Sequence, residues 1–217
     1  MSGREDLKAI ARLITPGARV LDVGCGGGEL LDLLVRERRV DGRGIEISPA
    51  GVSACLARGL AVVQGDADRD LADFLPGAFD YVVLSQTLQA VRRPRYVLGE
   101  LLRIGRRAIV TLPNFGHWRN RLGLLLTGRM PVTPSLPEPW WSTANIHLCT
   151  LRDFTRLCAD LGVRIDACAA IRGNASPRRV DAASPIVGWR AEAALFLLSP
   201  AQTAASPADD AGAIRFS

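Results

Sequence analysis

The sequence predicts a three-layer α/β domain, a mostly parallel sheet of about seven strands with helices on both faces. Three observations carry this reading. Short apolar runs alternate with amphipathic helical patterns from Arg4 to Leu112, the rhythm of strand and crossover helix. A glycine-rich break, Gly24 to Gly28, separates the first strand from the helix that follows it. The 217 residues are 48% hydrophobic, enough for one domain to bury roughly 70% of its unfolded surface without disulfides or metal.

The elements follow in order. An amphipathic helix from about Arg4 to Ile14 ends at the turn Thr15-Pro16-Gly17, and Arg19 to Val23 is a short buried strand. Glu29 to Arg38 carries leucines between charges and forms the first crossover helix. Gly42 to Ile47 is a second strand, and Ser48-Pro49 starts a helix with proline at its first position. Strand Leu60 to Val63, loop Gln64 to Arg69, strand Phe79 to Leu84, helix Pro94 to Arg103 and strand Arg107 to Leu112 continue the alternation.

After Leu112 the rhythm fails. Residues Pro113 to His147 hold Pro131, Pro134, Pro137 and Pro139 and three of the four tryptophans, a composition that cannot be regular throughout and reads as a cap-like insertion. Helix Thr150 to Leu161 and strands Val163 to Ile171 and Arg190 to Leu198 follow, with Arg172 to Gly188 as a long polar loop between the strands. One domain therefore covers residues 1 to 198, and residues 199 to 217, rich in Ala, Ser, Pro and Asp, read as a disordered tail.

Composition excludes several classes. No run of 18 apolar residues exists and the N-terminus has no apolar signal core, so no membrane partner and a cytoplasmic location are expected. Five widely spaced cysteines without a C-x-x-C pair, and only two histidines, point to reduced thiols and no metal. The net charge of +5 is almost all arginine, Lys8 being the single lysine, and the arginines are scattered without a basic run. Nucleic-acid binding is the least supported reading.

The chemistry concentrates at the carboxyl ends of the strands. In Asp22-Val-Gly24-Cys-Gly26-Gly-Gly28 the glycines let a ligand approach the backbone at a helix start, and Glu46 ends the second strand where it can accept from ribose hydroxyls. Dinucleotide binders want a third glycine where this chain has Glu29, and Asp22 would repel a pyrophosphate. S-adenosylmethionine has no phosphate, and its ammonium and sulfonium suit an acidic residue beside the glycines. Asp66, in Gln64-Gly65-Asp66-Ala67, is placed to accept from an adenine amino group while Ala67 donates its main-chain N–H; alternatively Asp66 only caps the turn. Ser85-Gln86-Thr87 forms the remaining wall. Cys25 is read as a small residue packing under the cofactor and not as a nucleophile.

The insertion offers other candidates. His117 is either a residue near the cofactor pocket that acts as general base or binds a carboxylate, or a hydrogen-bonded residue that shapes the insertion, and His147 is read as structural. Trp118, Trp140 and Trp141, beside Arg119, Arg121 and Arg129, line a substrate pocket, form a partner surface, or pack locally; the partner surface is preferred because aromatics and arginine concentrate interface energy.

VLDVGCGGGEL, GIEI, QGDAD and FDYVVLSQTLQA resemble, in order and spacing, the cofactor motifs of class I S-adenosylmethionine-dependent methyltransferases. SQTLQA, ELLRIGRRAIVTLPNFGHWRNRLGLLLTGRMPVT and NIHLCTLRDF resemble, more narrowly, the MetW family of methionine-biosynthesis proteins, from about residue 5 to 198. Ala144 stands where that family tends to have proline, and Trp141 where tyrosine is common. The resemblance implies a Rossmann-like fold with a reversed last strand and a cofactor set of Asp22, Gly24, Cys25, Gly26, Glu46, Ile47, Asp66, Ala67 and Ser85. It further implies an accessory or regulatory role toward homoserine O-acyltransferase, with S-adenosylmethionine as the signal. An active methyltransferase on a small metabolite is the alternative, because positioning alone can drive methyl transfer.

Overall fold

A computed structural model describes residues 3 to 200 apart from 134, 135, 174 and 183. Helix α1 spans Gly3–Leu13, followed by β1 (Arg19–Val23), α2 (Glu29–Arg38), β2 (Asp41–Glu46), α3 (Pro49–Ala57) and β3 (Ala61–Gln64). Then come a 3-10 turn at Asp70–Asp73, β4 (Phe79–Ser85), α4 (Pro94–Ile104) and β5 (Gly105–Pro113). The second half holds α5 (Trp118–Thr127), α6 (Leu151–Asp160), β6 (Val163–Ile171), β7 (Arg178–Arg179), α7 (Pro185–Arg190) and β8 (Ala193–Pro200).

The eight strands form one sheet in the order β3-β2-β1-β4-β5-β8-β6-β7. The first five are parallel, and β8 runs antiparallel to both β5 and β6. Pleating divides the apolar residues between two cores. Leu21, Val23, Val82 and Leu84 face α4 and α6, while Val20, Tyr81 and Val83 face Ile10 of α1, Ile14 just after it, and Leu30 and Leu34 of α2. Phe154 of α6 meets Phe196 of β8 with ring centroids 4.5 Å apart. The strand order reverses between β1 and β4, and such a switch point opens a crevice at the carboxyl ends of the strands.

Local sequence explains the helix starts. Gly28, at φ +81, turns the chain into α2. Ser48 accepts from the Gly51 amide with Pro49 behind it, and Thr150 with Asp153 closes a reciprocal capping box on α6.

Four expectations change in detail. The insertion contains a ten-residue helix, α5. The polar loop holds the two-residue β7, paired with Ala169 and Ala170, which is the strand beyond the seven expected. The strand expected from Arg190 begins at Ala193, because Pro185–Arg190 is helix α7 with proline in its first turn. Ser199 and Pro200, assigned to the tail, close β8: Ser199 pairs with Arg164, and its hydroxyl donates to Asp166. The rest of the tail lies outside the described residues. No described helix is long and apolar enough to cross a membrane.

Candidate functional site

The loop after β1 is built by backbone geometry that a side chain would disturb. Gly24 has φ +69, and a Cβ there would stand 2.8 Å from the Thr87 side chain. The Gly24 and Cys25 amides both donate to the Ile45 carbonyl, which locks the loop to the end of β2. Gly26, at φ +54, donates its amide to Glu46 Oε2 at 2.8 Å, and Ser48 donates to Oε1 at 2.8 Å. Glu46, 8% exposed, therefore holds the glycine turn and the start of α3 together. Each of its oxygens retains one further acceptor site.

Two cavities open on this loop and meet at Gly24. The larger, about 1070 Å³, is lined by Asp22, Gly24, Cys25, Gly26, Ser85 and Gln86, and continues between α1 and α2 past Asp6, Leu7 and Leu33. The smaller, about 260 Å³, is lined by Ile47, Asp66, Ala67, Thr87 and Val91. The structure thus brings every expected cofactor residue except Glu46 to one of two adjoining walls. Glu46 lies behind the loop.

Asp22 is the electrostatic centre of the larger cavity. It is 2% exposed, and its Oδ2 has no hydrogen-bond partner. Burial, then the neighbouring charges of Glu46 and Glu29, push its carboxyl up to about 7. A buried carboxylate without a partner is costly, and a cation placed beside it removes the cost.

Asp66 takes the turn-capping role: its Oδ1 accepts from the Asp68 amide at 2.8 Å while the residue also lines the smaller cavity. Asp68, which sequence reading passed over, accepts from the Arg92 and Arg93 amides and fastens this loop to the start of α4. Gln86 adopts φ +54, a left-handed conformation rare outside glycine, with its amide donating to both the carbonyl and hydroxyl of Thr111.

Cys25 Sγ lies 3.8 Å from Cys55 Sγ, and burial pushes its thiol pKa up, so it packs beneath the loop as an unreactive group. His117 lines neither cavity. It is 5% exposed, its Nδ1 accepts from the Arg119 amide at 3.4 Å, and burial lowers its pKa, so the neutral ring caps α5. This bond ties His117 to the start of the helix in the insertion. Trp140 and Trp141 are 67% and 72% exposed and meet edge to face at 5.9 Å, which excludes a local core. Among the described residues no group of three or more His, Cys, Asp or Glu side chains could hold a metal ion.

The chain is 35% identical over 170 residues, 74% of its length, to the bifunctional methionine biosynthesis protein MetXA/MetW of Rhodopirellula baltica. It is 35% identical over 165 residues to the ubiquinone biosynthesis O-methyltransferase of Hahella chejuensis, covering 66% of this chain and 69% of that protein. It spans 27% of the length of the bifunctional relative and 38% of a Xanthomonas campestris ubiquinone O-methyltransferase. Among solved structures, an S-adenosylmethionine-dependent methyltransferase of Thermotoga maritima superposes with a TM-score of 0.66 at 15% identity, covering 90% of this chain and 87% of that one. One from Mesorhizobium loti gives 0.65 at 16% identity, covering 92% and 98%. These likenesses show the class I methyltransferase fold. The profile described as methionine biosynthesis protein MetW matches residues 4–198, so nearly the whole described chain is accounted for by one family, and the chain belongs to it: it is a member of the MetW family.

Proposed function

We propose that this chain binds S-adenosylmethionine in the paired cavities and acts in methionine biosynthesis as an accessory partner of homoserine O-acyltransferase. Two features of the site fit that cofactor. The orphaned Asp22 oxygen suits its ammonium or sulfonium charge, and the Gly24 cradle leaves the backbone open where a Cβ would meet Thr87. Ile47, Asp66 and Ala67 would hold the adenine, Ser85 and the Gly26 loop the amino-acid end, and Glu46 the ribose through its remaining acceptor sites. Bound there, the group supplies an electrophilic methyl and, as a product downstream of methionine, a measure of pathway output.

The observation that carries the accessory role is the relative that bears MetXA and MetW in one name and one polypeptide. Partners joined in one chain are held at effective concentrations of millimolar order, which favours units that work together. The reading places residues 1 to 198 as one binding domain in the cytoplasm, where its free thiols stay reduced. One observation favours a second reading, a methyltransferase acting on a small metabolite: the larger cavity continues past Ser85 and Gln86 between α1 and α2, leaving room for an acceptor.

Co-purification with the acyltransferase, with acyl transfer assayed with and without this chain and with added S-adenosylmethionine, tests the first reading. A changed acyl-transfer rate supports it. Methyl transfer to a metabolite pool, with acyl transfer unaffected, supports the second.

A further inference from the structure

We propose that the outward face of α5 is the surface on which homoserine O-acyltransferase docks; the proposal rests on the partner reading above and adds the residues that make the contact. Helix α5 is inverted relative to an ordinary surface helix. Its only buried side chain is polar: Asn120, 1% exposed, donates to the Asn114 and Phe115 carbonyls and accepts from the Thr133 hydroxyl. Its leucines face water instead. Leu122, Leu124, Leu125 and Leu126 are 43%, 40%, 81% and 73% exposed.

The spacing makes this a single stripe. Positions 118, 122, 125 and 126 recur at three and four residues, so Trp118 and three of the four leucines share one side of the helix, and Arg129 follows just past its end at Gly128. Helix α5 meets the body through its first turn, where His117 caps it and Arg121 donates to the Gly116 carbonyl, and through the 131–133 segment beside Gly123. Arg121 also places its guanidinium over the Trp189 ring of α7 at 5.5 Å. A helix of ten residues is marginal in water on its own and draws its stability from a covered apolar face. Here that face is turned outward, so the cover comes from another molecule.

Charge narrows the occupant. From 113 to 148 the chain has Arg119, Arg121 and Arg129 against the single acid Glu138. The complementary surface is an apolar patch with an acidic rim, on a folded protein. The relative with MetXA and MetW in one polypeptide names the protein that is kept beside this fold. The helix leaves from the carboxyl end of β5, the end of the sheet on which both cavities open, so a partner seated there also sits beside the cofactor walls.

The test compares the full chain with its Leu125→Glu, Leu126→Glu double variant. Glutamate is a good helix former and both positions are exposed, so the fold should be kept; melting temperature and S-adenosylmethionine affinity are measured to verify this. Calorimetric affinity for the purified acyltransferase should fall by about 30-fold or more, the loss of an interface anchor pair. A folded variant that binds the acyltransferase as tightly as the wild type overturns the proposal and leaves the partner reading standing. A wild-type chain with no affinity for the acyltransferase removes both. Gel filtration of the chain alone, and sedimentation with phosphatidylcholine–phosphatidylglycerol vesicles, complete the set: a dimer that the substitutions split, or vesicle binding that they abolish, assigns the face to a second copy or to lipid and overturns the proposal.

Discussion

The main-chain amide of His147 donates to the carbonyl of Gln89 at 3.0 Å, joining the segment that follows α5 to the loop that walls both cavities. Ser85 and Gln86 of that loop line the larger cavity, and Thr87, Ala90 and Val91 the smaller. The Gln89 side chain donates to the Gln86 carbonyl at 2.7 Å, while its Oε1 is buried without a partner. A half-satisfied buried amide next to a left-handed Gln86 stores strain in this loop.

This relationship predicts coupling between cofactor and acyltransferase. S-adenosylmethionine should change the dissociation constant for the acyltransferase by about fivefold or more, and the acyltransferase should change that for S-adenosylmethionine by the same factor, as linkage requires. Gln89→Leu removes the unpartnered oxygen and the bond to Gln86, and should bring the factor close to one in both directions. Calorimetry of each binding step with and without the other ligand decides it; a factor unchanged in the variant would show that the loop does not carry the coupling.

Asp22 makes a prediction in pH. In the fold it keeps its proton up to about pH 7, whereas the unperturbed group loses it near 3.8. Between those values the native state holds one more proton than the unfolded chain, so this group lowers stability as pH rises through the window. Asp22→Asn should therefore melt several degrees above the wild type at pH 8, with the gap closing toward pH 4. A cationic ligand prefers the carboxylate, so wild-type affinity for S-adenosylmethionine should rise by about tenfold from pH 6 to pH 8, and the variant's profile should be flat.

Glu46 predicts a double loss. Its carboxylate receives amides from Gly26 and Ser48, twenty residues apart from one and two from the other, and the proposed cofactor reading has it accept from the ribose as well. Charge-assisted bonds of this kind contribute about 1.5 to 3 kcal/mol each. Glu46→Ala should weaken S-adenosylmethionine binding by about tenfold or more and also lower the melting temperature. Titration of the variant at fixed pH, beside its melting curve, checks both; unchanged affinity would remove Glu46 from the site.

What could be read in the sequence was local. The buried run Val20 to Val23, the glycines after it and the Ser48-Pro49 start each declare themselves within a few residues, and all stand where the pattern placed them. Ser184-Pro185 carries the same helix-start signal as Ser48-Pro49, but the polar stretch before it and the apolar run after it hid a helix of six residues. In α5 the leucines gave no inward stripe because all four are exposed and the buried side chain is Asn120. The bonds of Glu46 to Gly26 and of Asp68 to Arg92 and Arg93 span 20 to 25 positions, and spacing alone does not report them.

Asn114 is the polar joint of the carboxyl end of the sheet. It is wholly buried, its Nδ2 donates to the Gly188 and Ala191 carbonyls at 2.8 Å each, and its Oδ1 accepts from the Gly116 amide at 3.0 Å. Its main-chain amide donates to the Glu192 carbonyl, so one residue ties the end of β5 to α7 and to the approach to α5. Asn114→Ala leaves two buried carbonyls and one amide short of a partner, each costing about 1 to 3 kcal/mol where water does not enter. At about 2 to 4 °C per kcal/mol for a chain of this size, the melting temperature should fall by roughly 6 °C or more. Asn114→Asp should fall further, because an acceptor then faces two carbonyls. Asn114 lines neither cavity, so S-adenosylmethionine affinity below the transition should stay within twofold of the wild type, while amide exchange should quicken in α5 and α7 ahead of β1 and β4. A variant melting within 2 °C of the wild type would show that α5 and α7 are held by other contacts, and that the presentation of the α5 face does not depend on this joint.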